Sequence, residues 1–486
     1  MVQTLQKKMT DDDKAIFAIS MLFLVVFFVR MAFGYVAWHF LIILIPMFFV
    51  ALLRPKAGLS AILILTVLFE RFFTLEALQF GRSIIKLYPL DMVLFGVYGG
   101  MLAKIFLNRT PFLWKQTDVW LMGFFVLATL YFGASFFGFG NNTFAVAFST
   151  WKNYVFYGML FFAVPILCEK IDDLRQLIRY FLFAVIVGIV FVIIGVVRGN
   201  GLWTEFTPLS TEGVRLLAFP HAFYFSLAFL GMLVSVWYWE HHRYRFFLWL
   251  AMALWSIGII GSLMRHMWIG IVCAVVGALV IVMDGTARRA MFRLVGIAFS
   301  GGTVLVFLWL FVAFLLPQSA FGEGFALVGQ TVRERVTSIT NIADESISWR
   351  GSTWHSAFVQ LARNPMFGTG FGMHIPVESG AYRDFIEIRN IHNSWLVLLV
   401  QMGIVGFFTF IVFVSTLVWK VFALHPVTPF FSLLRSVSLT LILYQGIVFL
   451  AQPYLETNML GIFFWMTLGM TNALIVIAHK AQYPSV

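Results

Sequence analysis

LIRYFLFAVIVGIVFVIIGVV at 177–197 and LLAFPHAFYFSLAFLGMLVSVWYW at 216–239 decide the fold. Each is apolar almost throughout, over the ~20 residues that a helix needs to cross a bilayer. Neither alternates apolar and polar residues over ~10 positions, as the strands of a membrane barrel do. The whole chain repeats this pattern. Of 486 residues 61%, about 296, are apolar and only 11% are charged, against roughly 25% charged in a soluble protein. Fourteen spans of ~20 residues would use about 280. The composition excludes a soluble enzyme, a disordered chain and a disulfide scaffold, and points to an all-α, polytopic membrane protein.

Apolar spans are predicted at 15–33, 36–53, 58–75, 89–107, 117–138, 154–168, 177–197, 216–239, 246–262, 267–283, 294–316, 395–422, 436–450 and 457–478. The first follows Lys7, Lys8 and Lys14 and has no small-residue cleavage site, so it reads as retained. The count is 12 to 14, because 58–75, 154–168 and 436–450 are weak. The chain divides into about eleven spans over 1–316, a polar segment at 317–391, and about three spans over 392–486. With the N-terminus inside and fourteen spans alternating, 19 of the 33 basic residues fall inside and 14 outside. Six of those 14 lie in 317–391, and long segments are weak topology signals, so the contrast becomes 19 against 8. Both termini are then cytoplasmic. The net charge of +11 belongs to basic loops held against anionic lipid rather than to nucleic-acid binding. Cys168 and Cys273 lack metal-ligand spacing and read as packing residues.

This topology places an arginine-rich set on the outer face. Arg215 lies in EGVRLLAFPHAF, and Arg265 and His266 in GSLMRHMWIG. The segment 317–391 adds Arg333, Arg335, Arg350, Arg363, Arg383 and Arg389 and leads to His392-Asn393. Guanidinium groups offer paired donors matched to phosphate oxygens, which suits an anionic, phosphorylated ligand. The plainer alternatives stand beside this. An arginine at a span end also anchors the interface, His392 is also a structural histidine, and Asn393 is also a helix cap. Within 349–363 a short amphipathic helix is predicted, with Trp354, Phe358 and Leu361 on its apolar face and Asn364-Pro365 as its stop. Gly368, Gly370 and Gly372 make a flexible or sharply turning strip that follows it. Acidic residues in the outer short loops are scattered (Glu76, Glu205, Glu212), so no metal site is expected, and no P-loop is present.

WRGSTWHSAFVQLARNPMFGTGFGMH at 349–374 and IHNSWLVLLVQMGIVGF at 391–407 resemble the O-antigen ligase and Wzy-type polymerase superfamily. The resemblance rests on Arg350, Trp354, Asn364, Pro365, Gly368, Gly370, His392, Asn393, Gly403, Ile404 and Gly406, in order and spacing. RLLAFPHAFYFSLAFL and SLMRHMWIG support it upstream, with Met264 where the family often has serine. The resemblance implies a GT-C-like membrane glycosyltransferase. Its donor is an undecaprenyl-diphosphate-linked glycan and its acceptor a sugar hydroxyl on a second glycan or on lipid A–core. It works in the bacterial inner membrane with its site towards the periplasm, without a metal or other cofactor, and inverts the anomeric carbon. Arg215 and Arg265 would bind the pyrophosphate and His392 would be the base. Arg350 would be a further phosphate or glycan contact or a loop brace, with His266, Trp354 and Asn393 as neighbouring substrate contacts. Partners would be the bilayer and other polysaccharide-assembly proteins. Polymerase and ligase differ only in acceptor, and the polymerase is favoured slightly. A protein O-oligosaccharyltransferase would carry a further carboxy-terminal region where this chain ends at Val486. A transporter would place polar groups near the midplane in paired halves, which the sequence lacks. A noncatalytic scaffold of an export complex is the third reading.

Overall fold

A computed structural model describes residues 10–33, 37–69, 78–80, 83–85, 88–108, 115–136, 144–190, 193, 217, 219–239, 243–283, 285, 287–293, 296, 345–379, 382–425 and 428–482. It is an all-α, multi-pass membrane fold with two small hairpins. Among the described residues six helices are long and apolar enough to cross a membrane, and four shorter apolar helices accompany them. Thirteen of the fourteen predicted spans coincide with helical segments; the remaining one, 294–316, lies outside the described residues apart from residue 296.

The chain forms two compact units. The first contains residues 1–187, 353–427 and 449–486. Its helices are α1 (Asp11–Phe33), α2 (Ala37–Leu53), α3 (Pro55–Phe69), α4 (Pro89–Asn108), α5 (Gln116–Phe136), α6 (Phe144–Trp151), α7 (Leu160–Leu167) and α8 (Ile171–Val187). A π turn (Lys152–Phe156) and a 3-10 turn (Tyr157–Met159) join α6 to α7 without a gap. A hairpin, β1 (Leu78–Phe80) with β2 (Ser83–Ile85), precedes α4. The second unit contains residues 188–352 and 428–448. It holds α9 (Phe219–Val234), α10 (Val236–Trp239), α11 (Arg245–Gly261) and α12 (Arg265–Gly277). Helix α13 (Glu345–Arg363) begins in the second unit and runs into the first. There it leads to β3 (His374–Ser379), β4 (Tyr382–Glu387), a 3-10 turn (Ile388–Asn390) and α14 (Ser394–Phe422). The second unit is completed by α15 (Pro429–Val448), and the first by α16 (Asn458–Gln482). In the second unit α12 lies close on α15, because at Gly270 a Cβ would stand 2.7 Å from Val448.

The weak span at 154–168 is explained by one ion pair. Lys152 and Asn153 interrupt its apolar run, yet the helical segment continues from Phe144 to Leu167. The Lys152 ammonium lies 2.8 Å from the Asp91 carboxylate, with side chains only 2% and 1% exposed. The Tyr157 hydroxyl donates to the same carboxylate at 2.8 Å, the Tyr88 N–H at 2.9 Å, and the ammonium sits 4.3 Å above the Tyr88 ring. A buried charge is tolerated when it is paired and its remaining bonds are filled.

Helix α14 is broken at Gly403, where φ is 63° and ψ is −170°, a conformation open essentially to glycine alone. An unbroken helix would bond Ile404 N–H to Val400 O and Val405 N–H to Gln401 O. Here the strip after α13 takes all four groups. Thr369 and Gly370 N–H donate to Val400 O and Gln401 O at 2.9 and 3.0 Å. Pro365 O and Met366 O accept from Ile404 and Val405 N–H at 2.9 and 3.2 Å. Tyr131 of α5 holds the strip by donating to Phe367 O at 2.5 Å. A Cβ on Gly368 would lie 2.5 Å from Val400 O and Gly403 N, so the two glycines permit the approach. The strip expected to be flexible or sharply turning is thus a bonded part of the α14 core.

Gly403→Ala should lower the apparent Tm of the detergent-solubilised protein by several degrees, since such backbone strain costs on the order of 1–3 kcal/mol. Gly133→Ala, in α5 with open space at its Cβ, should leave Tm unchanged or raise it slightly. Equal Tm values for the two variants would refute the strained docking.

Candidate active site

His392 sits in a three-residue turn, Ile391 to Asn393, between the 3-10 turn and α14. Its φ is 55°, a strained region for a histidine. Among the described residues one other non-glycine has positive φ: Leu263, two residues before Arg265. Such strain persists only where surrounding bonds enforce it, and it collects at functional sites. The bonds around His392 are visible. Asn393 caps α14, its side chain accepting the Leu396 N–H at 3.0 Å. The Ser394 N–H donates to Phe449 O at 2.8 Å. His392 Nδ1 lies 2.7 Å from Gln452 Oε1. In the tautomer with the hydrogen on Nδ1 this contact is a hydrogen bond, and Nε2 then has the lone pair that a base needs.

Beneath this turn lies a buried carboxyl, Glu456, 5% exposed, in the turn between α15 and α16. The Ser394 hydroxyl donates to it at 2.7 Å and the Tyr154 hydroxyl at 2.6 Å. Burial pushes the Glu456 carboxyl up to about 7, against the opposing pull of the Tyr154 and Ser394 hydroxyls and the Arg389 charge. Tyr154 also reaches Gln401 Oε1, at 3.2 Å, two residues before the break in α14. The Asn153 side-chain amide donates to Glu456 O at 2.7 Å.

Trp354 anchors the same turn from α13: its indole N–H donates to Ile391 O at 2.9 Å. The ring packs on a buried cluster that includes Ala357, Ile375, Ile388, Ile391 and Val397. The helix predicted over 349–363 is present and starts earlier, at Glu345. Its buried face is rotated from the predicted one. Trp354 and Leu361 pack inwards with Ala357, but Phe358 is 53% exposed. The period-3.6 reading could not choose between Ala357 and Phe358, because small residues also fill a close contact. The hairpin β3–β4, pairing Ile375 with Ile386, stands where only short helices were expected.

In the second unit Arg265 is the first residue of α12, reached from α11 through Ser262, Leu263 and Met264. The Ser262 hydroxyl accepts the Met264 N–H at 3.4 Å, and the Trp268 indole donates to Ile259 O at 3.1 Å, which closes the turn. Arg265 and His266 are both partly exposed. Arg350 lies one helical turn before Trp354 on α13, in the second unit and partly exposed. Arg215, Arg333 and Arg335 lie outside the described residues. Arg389 is paired with Glu387 at 2.5 Å and donates to the Ser149 hydroxyl at 2.9 Å. His392, Asn393 and Trp354 therefore come together in the first unit, while Arg265, His266 and Arg350 lie in the second. Sequence reasoning missed Gln452, Glu456 and Tyr154. The available signal was AQPYLETN at 451–458, a polar interruption between two apolar spans on the same side as His392.

Residues 250–411 match the sequence model of the family described as O-antigen ligase. The match supports the resemblance to the O-antigen ligase and polymerase superfamily over that stretch. The matched stretch includes Arg265, His266, Arg350, Trp354, His392 and Asn393 and ends in α14 beyond Gly406; Arg215 lies upstream of it. No curated protein sequence matches the chain. The match and the membrane helices together support a membrane glycan enzyme of the O-antigen ligase or polymerase type.

Asn393→Ala removes the cap of α14 and should cost about 1 kcal/mol, whereas Asn393→Asp should cost less. Trp354→Phe keeps most of the ring packing but deletes the bond to Ile391. It should reduce glycan product several-fold while shifting Tm little. Full activity in Trp354→Phe would show that the Ile391 bond does not hold the turn.

Proposed function

We propose that this enzyme moves a glycan from undecaprenyl diphosphate to a sugar hydroxyl on the periplasmic side of the bacterial inner membrane. The observation that supports this reading is the His392 turn, held at positive φ with Nδ1 2.7 Å from Gln452 Oε1. His392 takes the proton of the acceptor hydroxyl, a task suited to imidazole near neutral pH. The acceptor oxygen bonds to the anomeric carbon from the face opposite the pyrophosphate. The carbon–phosphate oxygen bond breaks, its electron pair goes to the pyrophosphate, and undecaprenyl diphosphate departs. The configuration at carbon inverts. Arg265 and Arg215 hold the pyrophosphate and stabilise its growing charge, a task that needs preorganised donors. Arg350 contacts phosphate or glycan, or braces the loop beside Trp354. His266 contacts the substrate near Arg265, while Asn393 and Trp354 keep the His392 turn in place. On this reading the division stands as spans over 1–316, a periplasmic segment at 317–391 and spans over 392–486.

The acceptor is a carrier-linked repeat unit in the favoured reading, which makes the enzyme a polymerase. The second reading, transfer to lipid A–core, is favoured by the description of the matched family as O-antigen ligase.

The test compares surface glycans in a host lacking the gene, complemented by wild type, His392→Ala or Arg265→Ala. Both variants should abolish product while the protein stays inserted. Arg265→Lys should lose most activity, because a point charge does not supply paired donors. Single repeat units on the final lipid, without long chains, identify a polymerase. Long chains stranded on undecaprenyl diphosphate identify a ligase. Wild-type glycan levels in the alanine variants would refute these roles, and unchanged glycans in the deletion would favour transport.

A further inference from the structure

We propose that Glu456 is a positioning residue for His392, acting through Ser394 and the Gln452 turn. The inference rests on the reading of His392 as the base. The geometry is a short chain of bonds within the first unit. Glu456 Oε2 accepts the Ser394 hydroxyl at 2.7 Å, and Oε1 accepts the Tyr154 hydroxyl at 2.6 Å. Ser394 Oγ also lies 3.3 Å from the carbonyl of Gln452, whose side chain meets His392 Nδ1. The Leu455 N–H donates to the same Oγ at 3.1 Å. Ser394 has one hydrogen and two acceptors within reach, the Glu456 carboxylate and the Gln452 carbonyl. When Glu456 is ionised, at pH above its raised pKa, it takes that hydrogen, since a charged acceptor makes the stronger bond. A neutral group at 456 that donates to Ser394 turns the hydrogen towards Gln452, and so changes the seat of the residue that orients the imidazole.

A carboxyl so deep needs a reason, because burying one is costly without full pairing. Packing alone does not require a charge here: Leu455 and Met459 beside it are buried and apolar. The carboxyl instead joins Tyr154 of the π turn, the first residue of α14 and the turn before α16. These three pieces of chain meet at the Glu456 carboxyl, next to the residues that carry and contact His392. A reacting acid would need access to substrate, which a 5% exposed side chain lacks.

The experiment uses the full-length protein in membrane vesicles with carrier-linked glycan as donor. Initial rates are measured for wild type, Glu456→Gln, Ser394→Ala, the double variant and His392→Ala, with Tm for each. Glu456→Gln keeps the size and both bonding positions but replaces one accepting oxygen by an N–H₂ donor, and facing Ser394 that donor reverses the Ser394 bond. It should lower kcat on the order of 10- to 100-fold, with the donor KM within about two-fold and Tm nearly unchanged. Ser394→Ala should give a similar loss, and the double variant should be no worse than either single one, because both cut one connection. Wild-type kcat in both single variants, with His392→Ala inactive, overturns the proposal and leaves the base assignment standing. Additive losses, or losses matched by a fall in Tm, also overturn it in favour of a purely structural carboxyl. An active His392→Ala instead removes the reading on which the proposal rests.

Discussion

A backbone amide inside a bilayer has no water to bond to, and α14 nevertheless gives up its ladder at Gly403. The cost is met because the strip at 365–370 supplies two carbonyls and two N–H groups where the helix lost them. The break is therefore a splice rather than a defect. It fixes the strip against α14, and Tyr131 of α5 fixes the strip from the other side. Since α13 leads directly into the strip, the splice also fixes where α13 ends. Trp354, a little over two turns from that end, then reaches the carbonyl of Ile391 beside His392.

The His392 turn is thus bounded by two kinds of constraint. From one side come packing and the indole bond of α13. From below comes a ladder of buried polar groups: Ser394, Glu456, Tyr154 and Gln401. Within it both oxygens of the Glu456 carboxyl are bonded, while the Gln401 side-chain nitrogen is buried without a hydrogen-bond partner. The positive φ of His392 is the sign that the surroundings dictate the conformation rather than the residue itself. In the second unit, Leu263 plays the equivalent part in the short turn that presents Arg265. On the proposed reading such rigidity holds the base in place, because misplacement of the reacting groups by ~1 Å can cost on the order of 100-fold in rate.

Most of the fold was legible because the membrane imposes a simple rule on sequence, long apolar runs. The runs ending near Phe33 and Leu53, and the one opening at Ser394, are read almost to the residue. The rule fails where charge is neutralised by tertiary pairing. Lys152 truncated a predicted span because its partner Asp91 is 61 residues away in the chain. The glycine strip was noticed, and Gly403 was noticed, but nothing local says that one repairs the other. The site was legible in part for the same reason. His392 and Arg265 stand out as polar residues at span ends, whereas Gln452, Glu456 and Tyr154 acquire meaning only through contacts across 60 to 302 residues of sequence. The rotated face of α13 adds a smaller lesson: apolar size at helical spacing does not reveal that Ala357, not Phe358, meets the core.

The central claim is that the imidazole of His392 accepts the acceptor's proton as the glycan leaves its diphosphate carrier. The most direct measurement is a reconstitution: purified wild type and His392→Ala in liposomes, each supplied with undecaprenyl-diphosphate-linked glycan and acceptor, with both products quantified by mass spectrometry. Wild type should release one undecaprenyl diphosphate for each glycosidic bond formed, and His392→Ala should form neither product. Equal turnover by the two proteins, or glycan transfer without release of the diphosphate carrier, would contradict the account.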